Sequence, residues 1–402
     1  MTSCKKQPIR KDKAGERMSS GLRAKLDRMK SPQNAAQPER AEPARATGLI
    51  VRVTRQSIDA RIHALPPVGL RRIGWSSGPF DIKRCLFIDT ETTGLSGGAG
   101  TVVFLIGAGY VDGDEFIIEQ LLMREYADEP MLLERLGQIM SRFDCVCTFN
   151  GRNFDMPLIR SRFTMCRMRE LWRDLSNIDL LYPSRRAWKL RIGSCRLSNI
   201  EAEILDMPRT DDIPGSEVPT RYFTFLDTGD ESLLEGIIEH NRQDIATLAV
   251  LLIRLCDIYS SLEKLKDQRD LFSMGRSLEV QGELKAAREI YHITALPRTR
   301  GTLAALTGER IAGMANWRQY HILRRSGEIE GAIQVLKQML QRRQMQGNAC
   351  IALSKLYEHR LKDYTQALMY ARMAIGQRDA DPAEMIERRI QRLERKIADL
   401  EG

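Results

Sequence analysis

The chain has 402 residues and a formal net charge of +9 at pH 7, with 43% hydrophobic and 29% charged residues. This length and composition are typical of a globular protein of two or three domains with ample material for a core. No apolar stretch reaches the roughly 18 residues of a membrane span, and the N-terminus lacks the apolar core of a secretory signal. These features exclude the membrane and secreted classes, and we expect a cytoplasmic protein.

Residues 1–46 are rich in Gln, Ala, Ser and Pro and poor in aromatic residues. They contain 12 Lys or Arg against 5 Asp or Glu, a net charge of +7 (12 minus 5), which leaves +2 for the rest of the chain. Such a composition predicts a disordered basic N-terminal arm. The arm would bind nucleic acid or another polyanion without sequence specificity, or it would only keep the protein in solution.

Residues 47–80 alternate weakly between apolar and polar, and we interpret them as a segment that leads into the next domain. Three strand-like runs follow, CLFID, TVVFLIGAGYV and EFIIEQLLM, with a glycine-rich turn and a DGD turn between them. A helical pattern, a short strand in CVCTF, a second helix and a strand near Ile178 complete the order βββαβαβ. This order predicts a mixed α/β domain over residues 81–260, with a five-stranded sheet flanked by helices.

The first of these strands ends in two carboxylates, in the string FIDTETTGL. Because side chains alternate between the two faces of a strand, Asp89 and Glu91 point to the same face. Two adjacent carboxylates repel each other unless a cation lies between them. The strand end is therefore either a solvated surface or half of a cation site. Which interpretation holds depends on whether later segments of the chain supply further ligands.

Two later segments supply suitable partners. In NGRNFD, Asn150 closes a strand and Asp155 stands at a strand-to-helix junction, and in IIEHNRQDIATLAVLLI a helix carries His240 and Asp244 on one face. Mg²⁺ and Mn²⁺ prefer oxygen ligands, and two such ions about 3.5–4 Å apart can activate a water and stabilise a leaving oxygen. The carboxylates and the histidine therefore suit a two-metal phosphodiesterase, in which His240 would deprotonate the attacking water or hold it in line.

The most basic stretch inside the domain is RRAWKLRIGSCR, which contains no acidic residue. Its cations are Arg185, Arg186, Lys189, Arg191 and Arg196. With Trp188 among them, the stretch is typical of a site for single-stranded nucleic acid, where cations contact phosphates and an aromatic ring stacks on a base. Trp188 would fit a hydrophobic core equally well.

From residue 261 to residue 402 no strand pattern remains, and three segments share a helix–turn–helix pattern. Ala287, Ala332 and Ala367 open the packing face of the second helix in each segment. Repeats of about 34 residues with this pattern resemble tetratricopeptide repeats, and an ordinary helical bundle is the alternative. The sequence predicts an all-α region that packs against the rest of the protein or binds a protein partner, without chemistry of its own.

Taken together, FIDTETTGL, the string N-x-x-x-F-D and the late helical Asp resemble the DEDD exonuclease superfamily, which has a ribonuclease H-like fold. More closely, residues 80–255 are similar to the YprB-like family of bacterial proteins, which often carries tetratricopeptide-like repeats afterwards. The strings that carry this resemblance are DTETTGLSGGAGTVVFLIG, TFNGRNFDMPLIRSRF, IDLLYPSRRAWK, GSCRLSNIE, IPGSEVPTRYF and EHNRQDIATL.

The resemblance implies two divalent cations, Mg²⁺ or Mn²⁺, with four ligands: Asp89, Glu91, Asp155 and Asp244. It also places three residues beside the terminal nucleotide: Thr92, Gly94 and Leu95. We add five candidate substrate contacts: Asn150, Arg185, Arg186, Trp188 and Arg196. One departure concerns the histidine, because the superfamily has Tyr four residues before the last Asp or His five before it, and His240 stands at the tyrosine spacing.

The sequence therefore predicts a metal-dependent 3′-to-5′ exonuclease that releases nucleoside monophosphates from single-stranded DNA or RNA. The direction of degradation rests on the resemblance alone. The loop TTGLSGGAGT lacks the G-K-[ST] ending of a P-loop, so we expect no nucleotide cofactor. The alternative is a nucleic-acid-binding adaptor with a slow or idle exonuclease domain and a working helical repeat, and the unusual position of His240 keeps it open. A structural scaffold that binds no nucleic acid would make all of these motifs accidental.

Overall fold

A computed structural model of the protein describes residues 48–94, 100–210, 213–296 and 303–401. The predicted basic arm, residues 1–46, lies outside the described residues, and so does Leu95. Across the described ranges, no helix is both long enough and apolar enough to cross a membrane.

A mixed sheet forms the centre of the first part of the chain. Its strands are β1 Ile50–Ser57, β2 Cys85–Thr92, β3 Val103–Asp112, β4 Glu115–Leu122, β5 Cys145–Thr148 and β6 Ser176–Asp179. The order across the sheet is β1-β4-β3-β2-β5-β6. Strands β5 and β6 run parallel to β2, whereas the β1–β4, β4–β3 and β3–β2 pairs are antiparallel.

The predicted order βββαβαβ is confirmed for β2 to β6, but the predicted number of five strands is wrong. Among the described residues the sheet has six strands, because the segment before β2 contributes an additional edge strand. Strand β1 pairs along its whole length with β4, from Ile50 opposite Leu122 to Ser57 opposite Glu115. The apolar and polar residues of β1 alternate only weakly because an edge strand is partly open to solvent. Val51 and Val53, for example, are about half exposed, at 48% and 56%.

Helices cover both faces of the sheet. They are α1 Pro67–Ile73, α2 Glu129–Met140, α3 Asp155–Met165, α4 Leu181–Ile192, α5 Leu197–Ile204, α6 Val218–Thr228 and α7 Ser232–Ser260. On β2, Cys85 and Phe87 belong to the core shared with the middle of α7, whereas Leu86 and Ile88 belong to the core shared with α2 and α3. The same alternation turns Asp89 and Glu91 towards α7, as the strand pattern predicted.

Helix α7 lies close against β3. A Cβ atom built on Gly107 would lie 2.4 Å from Asn241 Oδ1 and 2.7 Å from Ile245 Cγ1, both on α7. No side chain larger than hydrogen fits this space, so Gly107 sets the distance between the sheet and the helix.

A helical region follows the sheet. Its helices are α8 Gln268–Val280, α9 Leu284–Ala295, α10 Leu303–Ser326, α11 Ile329–Gln341, α12 Gln346–Leu356, α13 Tyr364–Met373 and α14 Ala383–Glu401. Each helix from α8 onward contacts the next one along the chain. Ala287, Ala332 and Ala367 are fully buried in α9, α11 and α13, at 0% exposure. The helical region is confirmed, and its assignment as tetratricopeptide-like repeats stays a prediction.

The helical region shares its core with the sheet region. One cluster of buried side chains extends from Ile62 through Phe87 and Leu252 to Tyr291 and Ile322. Ion pairs accompany this contact. Arg72 donates to Glu283 at 2.6 Å and to the carbonyl of Tyr259 at 2.8 Å, and Arg191 lies 2.9 Å from Asp270. The C-terminal half of α7 is therefore held from both regions.

Candidate active site

The end of β2 places Asp89 under α7. Asn241 of α7 donates from Nδ2 to Asp89 Oδ2 at 2.9 Å. Asn241 is fully buried and is itself fixed by Gln120 of β4, whose Nε2 donates to Asn241 Oδ1 at 2.9 Å. No sequence pattern predicted a role for Asn241, although it directly follows His240. A short hydrogen-bonded chain from β4 through α7 thus orients the Asp89 carboxylate.

Asp155 approaches the same strand from the other side. It is the first residue of α3, is only 6% exposed, and accepts a hydrogen bond from Thr90 Oγ1 at 2.5 Å. The backbone before it is tightly organised, because Asp179 at the end of β6 accepts from the amides of Asn150 and Arg152 at 2.9 and 3.1 Å. Asn150 has a φ of 66°, in the left-handed region that asparagine tolerates better than most residues.

Helix α7 brings His240 and Asp244 to the end of β2. His240 Nε2 lies 3.8 Å from Glu91 Oε1 and 3.7 Å from Asp244 Oδ2. The three side chains are nearly buried, with exposures of 15% for His240, 15% for Glu91 and 14% for Asp244. Three segments that are far apart in the sequence therefore contribute side chains to one site: the end of β2, the start of α3 and the first half of α7.

The charges of these side chains act on one another. Burial, followed by the negative charges of Asp244, Asp155 and Glu91, raises the pKa of Asp89 well above its usual range, and Asn241 opposes this only in part. Burial also raises the pKa of Asp244, against the opposing effects of His240 and Arg209. The four predicted ligands thus form one electrostatic group with an excess of negative charge.

The donor set fits a hard divalent cation, because it consists of carboxylate oxygens whose repulsion such an ion would relieve. Within the described ranges, however, no three His, Cys, Asp or Glu side chains already converge as a ready-made metal site. Asp244 is instead bonded to Arg209, and Asp155 to Thr90. With Asp89 bonded to Asn241, at least three of the four carboxylates are thus held by protein groups.

Arg209 also belongs to the site, although no sequence motif predicted it. Its Nη1 lies 3.2 Å from His240 Nδ1, and its Nη2 donates to Asp244 Oδ1. Arginine has only donors, so in a neutral His240 ring Nδ1 accepts this hydrogen bond and Nε2 carries the proton. That proton faces Glu91 and Asp244.

The pKa of Asp155 leads to a prediction about stability. Burial raises this pKa from an ordinary 3.8 to about 6, against the hydrogen bond from Thr90. Because the folded-state pKa is the higher one, the stabilising contribution is complete below the unfolded pKa and is lost as the pH rises through about 6. Without divalent cations, Asp155→Asn should therefore raise the free energy of unfolding at pH 8 by roughly 1–3 kcal/mol.

Urea unfolding of wild type and Asp155→Asn in EDTA, at a series of pH values, measures this difference. It should shrink towards zero near the unfolded pKa, where the wild-type carboxyl is protonated as well. A variant that is less stable at pH 8, or a difference that does not change with pH, would contradict the assignment of Asp155 as a buried, unneutralised carboxylate.

The candidate substrate contacts beside β2 are only partly described. Thr92 is buried, and its Oγ1 donates to the carbonyl of Gly94 at 2.8 Å, so it organises the start of the loop. The backbone of this loop is described again from Gly100, and Leu95 is not in the described part. The Asn150 side chain is exposed. Whether these residues contact a nucleotide stays a prediction.

The basic stretch divides into buried and exposed residues. Trp188 is 1% exposed and lies in the core, so its prediction as a base-stacking residue is wrong and the core alternative is confirmed. It faces inward because it lies on the side of α4 that packs against the core. Arg186 is likewise structural, since its Nη2 donates to the carbonyls of Arg72 and Ile73 at 3.3 Å each. Arg185 and Arg196 are exposed.

Part of the chain is similar to a known protein family. Residues 86–256 match the family model RNase_H_2, of the RNase_H superfamily. These residues form an RNase H-like domain. The RNase H-like domain contains all four predicted ligands, His240 and Arg209, and the helical region lies outside the match.

One relative aligns with most of the chain, far beyond the RNase H-like domain. It is a protein of Bacillus subtilis strain 168 described as "Uncharacterized protein YprB", and the two sequences are 27% identical over 332 residues. The alignment covers 81% of this chain and 76% of that protein. It thus spans more than the 171 residues of the RNase H-like domain.

A solved structure also resembles the protein. It is a family B DNA polymerase from the archaeon Pyrobaculum calidifontis, with 16% sequence identity and a TM-score of 0.36. The superposition covers 52% of this chain and 30% of the polymerase chain.

Proposed function

We propose that this protein is a metal-dependent nuclease, and more specifically a 3′-to-5′ exonuclease that releases nucleoside monophosphates from single-stranded nucleic acid. The observation that carries the proposal is that four acidic side chains lie around the end of β2, inside an RNase H-like domain, near enough for three of them to act electrostatically on Asp89. Asp89, Glu91, Asp155 and Asp244 come from three separate elements, and their charges act on one another. Several negative charges in a nearly buried site destabilise the fold. Their presence therefore indicates that the function of the site requires them.

The four carboxylates would hold two Mg²⁺ or Mn²⁺ ions. When bound, such ions supply an activated water and stabilise the charge on the leaving oxygen. The chain's own contribution is to fix the ligands: Asn241 orients Asp89, Thr90 orients Asp155, and Arg209 orients Asp244.

Of the two roles open to His240, the geometry favours holding the attacking water in line. A base would need a free lone pair on the nitrogen that faces the carboxylates. With Nδ1 accepting from Arg209, the ring instead presents a donor, Nε2–H, towards Glu91 and Asp244. The distances of 3.8 and 3.7 Å suit a water-mediated contact better than a direct one.

The substrate strand would enter over the loop after β2. Arg185 and Arg196, which are exposed, would contact phosphates electrostatically, without reading the sequence of bases. The helical region would bind a protein partner. Either DNA or RNA fits this arrangement, since the side chains named here contact phosphate rather than base or sugar.

A degradation assay on the full chain tests the proposal. Single-stranded DNA and RNA, labelled at the 5′ end, are incubated with Mn²⁺ or Mg²⁺, with EDTA as the control. We expect a ladder that shortens from the 3′ end only with a divalent cation, and no cutting of a circular single strand. Cutting of the circle would instead identify an endonuclease. Tight binding of single-stranded DNA and RNA without cleavage would overturn the proposed nuclease activity and support the nucleic-acid-binding adaptor.

A further inference from the structure

We infer that Arg209 is a positioning residue of this site, held by Glu201 and Thr247 so that it fixes His240 and Asp244 together. The inference rests on the proposed function, because it assigns Arg209 a role in the same nuclease reaction. Sequence motifs gave no reason to expect it, since Arg209 lies in the irregular segment between α5 and α6.

Arg209 is held firmly on the side away from the site. Its guanidinium pairs with both carboxylate oxygens of Glu201, through Nε and through Nη2, the latter at 2.9 Å. Glu201 is fully buried and also accepts from Thr247 Oγ1 at 2.5 Å. The arginine side chain itself is 6% exposed. A buried bidentate arginine–glutamate pair, with a further hydrogen bond to the glutamate, holds the guanidinium in one orientation, unlike a mobile surface cation.

The other side of the same guanidinium faces the site. Nη1 lies 3.2 Å from His240 Nδ1, and Nη2 also donates to Asp244 Oδ1. His240 and Asp244 lie one turn apart on α7, so a planar group with donors in fixed directions can reach both. Lysine has its three donors on one nitrogen, so it would not reproduce the planar fork that pairs with both oxygens of Glu201.

The alternative is that Arg209 only neutralises the surplus carboxylates and would give way when a cation binds. The geometry argues against it. The guanidinium is anchored to Glu201 through Nε and Nη2, independently of its contacts with His240 and Asp244. A cation that took over Asp244 would leave this buried pair in place, so Arg209 would stay beside His240.

Three variants test the inference in the full chain. Arg209→Met removes the guanidinium and keeps the apolar stem, Arg209→Lys keeps the charge, and Thr247→Val removes only the hydrogen bond to Glu201. Arg242→Met is the matched control, because it removes another arginine from the same helix, one that pairs with Glu239 and donates to Gln56 instead of contacting the site. Thermal melts of all variants show whether each one folds.

Two quantities are measured: Mn²⁺ binding by the electron paramagnetic resonance of free Mn²⁺, and kcat and KM for degradation of a single strand. We expect Arg209→Met to weaken Mn²⁺ binding about tenfold and to lower kcat roughly 100-fold, with KM changed less than threefold. Arg209→Lys should recover little of the loss, Thr247→Val should show a smaller loss of the same kind, and Arg242→Met should match wild type.

Arg209→Met that binds Mn²⁺ more tightly and cleaves as fast as wild type would overturn the inference and identify Arg209 as a displaceable counter-charge. If Arg209→Met does not fold, Thr247→Val decides: an unchanged kcat and Mn²⁺ affinity overturns the inference. Wild type that neither binds Mn²⁺ nor cleaves overturns the proposed function, and with it this inference, whereas active wild type with unaffected variants overturns the inference alone.

Discussion

Asp89→Asn should lower the rate of the proposed nucleic-acid degradation by at least roughly 1,000-fold, because it removes the charge of a proposed metal ligand. Asp89 is the carboxylate whose pKa responds to all three of the other candidate ligands, so it lies at the centre of the group. The substitution should leave the fold intact, since an asparagine oxygen can still accept the hydrogen bond from Asn241.

End-labelled degradation at saturating Mn²⁺ measures this loss. Asp112→Asn is the matched control, because it makes the same change at the exposed end of the neighbouring strand β3. Binding of the single strand to Asp89→Asn should persist in Ca²⁺ or EDTA. A variant that keeps more than about a tenth of the wild-type rate would show that Asp89 is not a ligand of an essential ion.

Gly107→Val should lower the free energy of unfolding by about 3 kcal/mol and impair catalysis as well. Even a Cβ at this position would lie 2.4 Å from Asn241 Oδ1 and 2.7 Å from Ile245 Cγ1, and valine adds two more carbons. Relief of this clash would push α7 away from β3. Because Asn241 holds Asp89, the displacement would disturb the site even in molecules that stay folded.

Urea unfolding and the degradation assay together test this prediction. Gly331→Ala serves as the control, since a Cβ there meets only Leu323 at 3.5 Å, an ordinary contact, and alanine favours a helix by up to about 1 kcal/mol. Gly107→Val with wild-type stability and rate would mean that the approach of β3 and α7 does not set the geometry of the site.

Parts of the site follow from local patterns. The alternation along β2 was sufficient to place Asp89 and Glu91 on one face, and the structure turns that face towards α7. Helical spacing was likewise sufficient to place His240 next to Asp244. The meeting of β2 with α7 across some 150 residues is not a local property, and only the order of the motifs and the family resemblance suggested it.

Other parts had no local signal. Trp188 lies among basic residues, and the sequence alone does not show which face of α4 is covered by α7 and α8. A glutamate on a short amphipathic helix is expected at the surface. Glu201 is nevertheless fully buried, where it pairs with Arg209. Neither partner of this pair can be recognised without the other, since they lie on either side of a turn and meet only in three dimensions.

Helix α7 has 29 residues and is therefore about 43 Å long. His240 and Asp244 lie in its first half. Near its other end, the carbonyl of Tyr259 accepts a hydrogen bond from Arg72, and the Tyr259 hydroxyl donates to the carbonyl of Pro183. The C-terminal end of this helix lies where the sheet region and the helical region share one core. One continuous helix therefore joins this shared core to the two side chains of the candidate site.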